Sequence, residues 1–66
     1  MEIILNGEPR EVPEPMTAAE LVELLGVSGR RLAMEVNREI LPRSAYRDHR
    51  LRPGDRVEIV HAIGGG

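Results

Sequence analysis

The feature that most constrains the fold is a single short helical segment with clear start and stop signals. Thr17-Ala18-Ala19-Glu20 fits a capping box, in which the Thr17 hydroxyl and the Glu20 carboxylate each bond a free backbone N–H. Apolar residues at helical spacing follow, and Gly26 stands where a left-handed residue commonly ends a helix. A helix of about two turns would not be stable alone. We therefore expect it to pack on a β-sheet.

Short apolar runs on either side of this helix predict the strands of the sheet. Residues 2–5 and 8–12 precede the helix and are separated by Asn6-Gly7, a strong signal for a two-residue hairpin turn. Pro9 cannot donate to a β-ladder, so we expect the second of these strands at the edge of the sheet. Three more strands are predicted after the helix, at residues 32–36, 40–41 and 56–62.

The order of these elements, ββαβββ, predicts an α+β fold in which one helix covers one face of a mixed sheet of four to five strands. With the helix as a crossover, the right-handed rule places the last strand beside the first and parallel to it. This arrangement is a β-grasp, the ubiquitin-like fold. We expect residues 1–63 to form this domain and residues 64–66 to be a flexible C-terminal glycine tail.

Strand alternation predicts which side chains face the helix and which face solvent. The expected inner face consists of Ile3, Leu5, Leu32, Met34, Val36, Val57 and Ile59. Ile4, Ala33, Val60 and Ala62 then face outward and form an apolar patch that leads to the tail. Apolar patches on an open sheet face often mark interaction sites, so we interpret these four residues as a partner-docking patch.

The composition excludes several classes of protein. The chain has 66 residues, enough for one domain, and no Cys, so disulfides, thiolate ligands and thiol nucleophiles are excluded. Its net charge of -2 argues against a protein that binds nucleic acid. No apolar run approaches the roughly 18 residues that span a bilayer, so we expect a cytoplasmic protein that does not contact membranes.

Side chains suited to catalysis are scattered along the chain. Ser28 and Ser44 lie in predicted turns, and neither His49 nor His61 has an evident carboxylate to orient it. The glycines do not form a phosphate-binding loop. We therefore expect no catalytic residue and no metal site. His61 suits either a docking contact or a partly buried strand position, and the second role is the more common one for such a residue.

Five of the nine Arg residues fall within one short stretch and allow two interpretations. They are Arg43, Arg47, Arg50, Arg52 and Arg56. A cluster of guanidinium groups suits a patch for an acidic or phosphate-bearing partner. A solvated loop is the alternative, and the negative net charge of the chain favours it.

The glycine tail is the most informative segment for function. Gly64, Gly65 and Gly66 have no Cβ atoms, so they can lie extended in a channel too narrow for side chains and carry the Gly66 carboxylate into another protein's active site. Glycine-rich ends also serve as plain spacers. The tail residues alone leave both interpretations open.

Several segments carry a resemblance to a known family. Residues 36–44 read Val-Asn-Arg-Glu-Ile-Leu-Pro-Arg-Ser and are followed by the aromatic Tyr46, while residues 4–8, 17–25 and 52–57 carry further motifs. With these segments the whole chain resembles the ThiS family, the sulfur carriers of thiamin thiazole biosynthesis. The family's di-glycine signature falls on Gly65 and Gly66, and Gly64 stands where many members have Ala.

The resemblance implies a reaction cycle at Gly66. A ThiF-type enzyme would adenylate the carboxylate with ATP and Mg²⁺, and sulfur from a cysteine desulfurase or another persulfide donor would convert it to a thiocarboxylate. A ThiG-type thiazole synthase would accept that sulfur. Gly64 and Gly65 would thread into the partner active sites. The chain would then be a cosubstrate rather than an enzyme, would bind no cofactor, and would be a monomer when free.

Three alternatives remain at this level. A sulfur carrier could serve another pathway, such as molybdopterin synthesis, tRNA thiolation or cysteine synthesis. A ubiquitin-like modifier would transfer the same acyl-adenylate to amines. A passive interaction module would have an inert tail, so its function would survive deletion of Gly65 and Gly66.

Overall fold

The computed structural model describes residues 1–61, and this part of the chain folds into one sheet and one α-helix. The strands are β1 (Glu2–Leu5), β2 (Glu8–Glu11), β3 (Leu32–Val36), β4 (Glu39–Leu41) and β5 (Arg56–His61). The helix is α1 (Ala18–Leu24), and a single turn of 3-10 helix covers Arg43–Ala45. The predicted order ββαβββ is confirmed.

The five strands form a mixed sheet in the order β2-β1-β5-β3-β4. β1 and β5 lie side by side and parallel, while the β1–β2, β3–β4 and β3–β5 pairs are antiparallel. The last strand therefore lies beside the first, as the crossover rule predicts. β2, which contains Pro9, lies at an edge of the sheet, where a missing N–H is tolerated. This arrangement confirms the α+β, β-grasp prediction.

Two strand boundaries differ slightly from the prediction. β2 ends at Glu11, one residue before the predicted end, although Val12 still donates to the Met1 carbonyl at 2.8 Å and accepts from the Met1 amino group at 2.7 Å. β4 begins at Glu39, which pairs with Val36, so the preceding turn needs only two residues.

The start of α1 is fixed by the predicted capping box. The backbone N–H of Glu20 donates to Thr17 Oγ1 at 3.2 Å, and the backbone N–H of Thr17 donates to Glu20 Oε1 at 2.9 Å. Gly26, after the helix, has φ of 73°, the left-handed conformation expected of a residue that ends a helix.

The loop after β4 packs against the beginning of α1. The N–H groups of Ala18 and Ala19 donate to the carbonyls of His49 and Tyr46, at 2.9 and 3.0 Å. These bonds satisfy two donors that a helix start leaves free. Leu51 is buried, and its N–H donates to the Met16 carbonyl at 2.9 Å.

The core lies between α1 and the inner face of the sheet. Of the seven predicted inner residues, five are buried: Ile3, Met34, Val36, Val57 and Ile59. Leu5 and Leu32 are half-buried and pack against this core. Leu21 from α1 is fully buried, which stabilises the fold by about 2 kcal/mol. The strand alternation that the sequence predicted is therefore confirmed on this face.

Candidate functional site: the last strand and the open sheet face

The last strand carries the chain toward the glycine tail. β5 begins at Arg56 in the middle of the sheet and ends at His61, which pairs with Leu32 of β3. Its length from Arg56 to His61 is about 17 Å. Four predicted site residues, Ala62, Gly64, Gly65 and Gly66, follow this strand and lie outside the described residues, so their roles stay predictions.

The start of β5 is held by the turn between β3 and β4. Asn37 has φ of 53°, and its N–H donates to the Arg56 carbonyl at 2.7 Å. Its side-chain oxygen accepts from the Arg56 N–H at 2.9 Å, and its Nδ2 donates to Asp55 Oδ1 at 3.1 Å. One asparagine thus shapes a turn and bonds both backbone groups of the first β5 residue.

A second turn asparagine holds β5 nearer its end. Asn6 has φ of 49°, and its N–H donates to the Val57 carbonyl at 2.9 Å. Its Oδ1 accepts from the Ile59 N–H at 2.8 Å, and its Nδ2 donates to the Ile59 carbonyl at 3.3 Å. Asn-Gly predicted the turn, but no local signal predicted this contact, because the two residues are 53 positions apart.

The open face of the sheet carries the predicted docking patch, but its members are not all adjacent. Ala33 and Val60 are direct cross-strand partners, and Val60 is 72% exposed. Ile4 pairs instead with Arg56, which is about 13 Å along β5 from Val60. The structure therefore brings Ala33 and Val60 together at the end of β5 and places half-buried Ile4 near its start.

Two features of this face were not part of the sequence-based patch. Ile40 of β4 is 78% exposed and lies opposite Glu35, on the same face as Ala33. Glu35 is also the direct cross-strand partner of Glu58 on β5. Like charges directly opposite each other on a sheet are destabilising. The open face is therefore apolar and acidic, and Arg56 adds a positive charge near Ile4.

The Arg-rich stretch is exposed at all five positions. The Arg43 guanidinium donates to the Arg30 carbonyl at 2.7 Å, so this side chain joins the 3-10 helix to the loop after α1. Arg56 lies in β5, next to Ile4 in the sheet. The five residues are therefore divided among the 3-10 helix, β5 and the loop between them, which carries Arg47, Arg50 and Arg52.

A polar groove of about 540 Å³ lies at the start of β5, away from His61. It is lined by Val36, Asn37, Glu39, Asp48, His49, Arg50, Arg52 and Asp55. Asp55 accepts from Asn37 and from the Arg52 N–H at 2.8 Å, so both its oxygens are occupied by structural bonds. Within residues 1–61, no group of three or more His, Asp or Glu residues is arranged to hold a metal ion.

Tyr46 is buried beneath the loop that covers the helix start, with 6% of its surface exposed. Burial raises the pKa of its phenol above the ordinary value of 10.0, and the nearby Arg43 charge partly opposes that rise. The sequence around Tyr46 is polar and did not predict its burial. His61 is half-buried on β5. None of the helices within residues 1–61 is long and apolar enough to cross a membrane.

The sequence model of the ThiS family matches residues 3–66, which include both the sheet and the three glycines. The chain belongs to the ThiS family. The sulfur carrier protein ThiS of Thermus thermophilus is 40% identical over 62 residues, which cover 94% of this chain and 95% of that protein. The crystal structure of the thiamine biosynthesis protein ThiS from Geobacter metallireducens is 33% identical, covers both chains fully and superimposes with a TM-score of 0.84.

This ThiS family member is also similar to part of a larger protein. A thiazole synthase of Paramagnetospirillum magneticum is 44% identical over all 66 residues, and the chain spans 20% of that protein's length. The matching segment of that synthase is thus a ThiS-like portion of a longer polypeptide. The family match confirms the resemblance on which the sequence analysis relied.

Proposed function

We propose that this protein is the sulfur carrier of thiamin thiazole biosynthesis. The observation that carries the proposal is the ThiS family match, which runs from the first strand through Gly66. The similarity to a carrier named ThiS over nearly the whole of both chains supports it.

The chemistry takes place at the Gly66 carboxyl group and is performed by partner enzymes. A ThiF-type enzyme uses ATP and Mg²⁺ to form an acyl-adenylate and releases pyrophosphate. The terminal sulfur of a persulfide, supplied by a cysteine desulfurase or another donor, attacks the acyl carbon and displaces AMP. A thiol then cleaves the S–S bond, leaving the Gly66 thiocarboxylate and a disulfide between the thiol and the donor.

The composition of the chain supports this role for Gly66. The sequence has no Cys, so no side chain can hold sulfur as a persulfide or thioester. The terminal carboxyl group is the group on which transferable sulfur can be carried. In this proposal the protein is a cosubstrate of its partners and not itself an enzyme.

The acceptor in this proposal is a ThiG-type thiazole synthase. The similarity to a thiazole synthase that contains a ThiS-like segment supports this partner, because a carrier and an acceptor that act together gain from being joined in one polypeptide. Glycines 64 and 65 fit a narrow channel in each partner, since they have no side chains.

The partners dock on the open sheet face in this proposal. Ala33 and Val60 are adjacent, exposed and close to His61 at the end of β5, and Ala62 is the next residue in the sequence. Ile4 belongs to the same face but contacts a different part of the partner surface, because it lies beside Arg56. Exposed apolar groups of this kind gain free energy when a partner removes them from water.

The experiment that tests the function is intact-protein mass spectrometry. The protein is incubated with a ThiF-type enzyme, ATP, Mg²⁺, a cysteine desulfurase, cysteine and a thiol reductant, and one reaction omits ATP. We expect a mass gain equal to the replacement of one oxygen by sulfur, located on the C-terminal peptide and absent without ATP. Adding a ThiG-type synthase with its substrates should restore the original mass and form the thiazole.

Other outcomes would identify the alternatives. A thiocarboxylate that the thiazole synthase does not consume would indicate a carrier for another pathway. Covalent adducts on lysines of other proteins would indicate a ubiquitin-like modifier. An unchanged mass in every reaction, with activating enzymes shown to be active on a known ThiS, would contradict the carrier proposal and leave an interaction module.

A further inference from the structure

The end of β5 is supported differently at its two edges. On one side, its pairing with β3 continues as far as His61 opposite Leu32. On the other side, β1 and β5 share two residue pairs, Ile4 with Arg56 and Leu5 with Val57. β1 ends at Leu5, two residues before the level of Ile59, and its backbone then turns away at Asn6-Gly7.

The side chain of Asn6 occupies the place that a further β1 residue would take. Its amide presents the same donor and acceptor as a peptide group. It bonds both the N–H and the carbonyl of Ile59, at 2.8 and 3.3 Å. These bonds continue the hydrogen bonding between β1 and β5 by one step, toward the end of β5. Both backbone groups of Ile59 therefore point toward β1 and bond Asn6, while Met34 of β3 lies opposite Ile59 on the other side.

We propose that Asn6 is a positioning residue for the activation of the C-terminus. By holding Ile59, the amide keeps the end of β5 in the sheet, so the strand that precedes the C-terminal residues meets the adenylating enzyme in one conformation. This inference rests on the proposed carrier function. It assigns to Asn6 a role beyond the hairpin turn, which a Gly at the same position would form equally well.

Asn37 provides a matched control. Like Asn6, it has a positive φ and lies in a two-residue turn. It bonds both backbone groups of one β5 residue, through its side-chain oxygen and its own N–H, whereas Asn6 does so through both polar atoms of its side chain. Asn37 does so at Arg56, at the start of β5. Asn6→Gly and Asn37→Gly each keep the turn, remove one side-chain amide and add similar freedom to the unfolded chain.

The test compares steady-state adenylation kinetics of the wild type, Asn6→Gly and Asn37→Gly, after circular dichroism has shown each to be folded. We expect Asn6→Gly to raise the KM for the carrier about tenfold with kcat unchanged, because about one tenth of the molecules would have the end of β5 in the conformation that the enzyme binds. Asn37→Gly should keep KM within about twofold of the wild type. Amide exchange at Ile59 should become faster in Asn6→Gly and not in Asn37→Gly.

Different results would contradict the role of Asn6 and the carrier function. Equal KM values for the two variants would overturn the positioning role of Asn6 while leaving the carrier function intact. Unchanged exchange at Ile59 in Asn6→Gly would also overturn it, because the amide would not be holding the strand. A wild-type protein that the adenylating enzyme does not use would instead contradict the carrier function itself.

Discussion

The side-chain amide of Asn37 donates to the carboxylate of Asp55 at 3.1 Å, and this bond joins the turn before β4 to the turn before β5. The other oxygen of Asp55 accepts from the Arg52 N–H at 2.8 Å. Asp55 is 9% exposed, and both oxygens have partners. A buried carboxylate that satisfies two donors from two turns acts as a structural junction.

Replacing this junction should destabilise the fold. Asp55→Ala leaves the Arg52 N–H and the Asn37 amide without their acceptor, so we expect a loss of about 2 kcal/mol in the free energy of unfolding. Urea denaturation followed by circular dichroism measures this. Asp48→Ala is the control, since Asp48 is an exposed carboxylate in the neighbouring loop. Equal midpoints for the two variants would show that Asp55 is not a junction.

The buried phenol predicts a loss of stability at alkaline pH. Burial raises the pKa of Tyr46 above 10.0 in the folded state, so the unfolded chain releases this proton first as pH rises. The contribution of Tyr46 to stability should therefore be constant below about pH 10 and decrease as pH rises through the folded-state pKa. The sequence has one Tyr and neither Lys nor Cys, so other side chains do not obscure this range.

Two measurements check this pH dependence. The absorbance of tyrosinate gives the pKa of Tyr46 directly in the folded protein, and urea midpoints at several pH values give the stability. In Tyr46→Phe the urea midpoint should stay constant over the same pH range. A wild-type midpoint that does not fall above pH 10 would contradict the effect of burial on this phenol.

Val60→Asp should impair docking without unfolding the protein. Val60 is 72% exposed, so the fold does not depend on its side chain. A carboxylate beside Ala33 should reduce kcat/KM for adenylation by about tenfold, equivalent to about 1.4 kcal/mol of binding. The control is Leu24→Asp, the same kind of change at an exposed apolar residue of α1. Unchanged adenylation kinetics in Val60→Asp would show that the adenylating enzyme does not dock on the patch that contains Ala33 and Val60.

An extra residue after Gly66 should abolish activation. One added Ala moves the terminal carboxyl group by about 3.5 Å and places a methyl group in a channel suited to glycine. Adenylation, measured by pyrophosphate release, should fall to background. A control of identical mass carries the same Ala after Ser28, in the exposed loop between α1 and β3, where an insertion is tolerated. Normal adenylation of the extended chain would contradict the assignment of the reaction to Gly66.

Local signals in the sequence were sufficient to predict the elements and the inner face. The Thr17–Glu20 capping box and the Asn6-Gly7 turn each depend on a few neighbouring residues, and both are present as predicted. Alternation with a period of two identified Met34 and Val57 as buried, because every second side chain of a strand lies on the same face of the sheet. The glycine tail and the ThiS resemblance were likewise visible in the sequence and led to the family that the comparisons confirm.

Only the tertiary structure decided which distant residues meet. Strand alternation places Ile4 and Val60 on one face of the sheet. The register of β1 against β5 separates them by about 13 Å along the strands. The same register brings the Asn6 amide to Ile59, and the packing of the loop on α1 buries Tyr46. These contacts join residues far apart in the chain, and their geometry depends on how whole strands align. Alternation and turn signals carry no information about that alignment, because each describes a single segment.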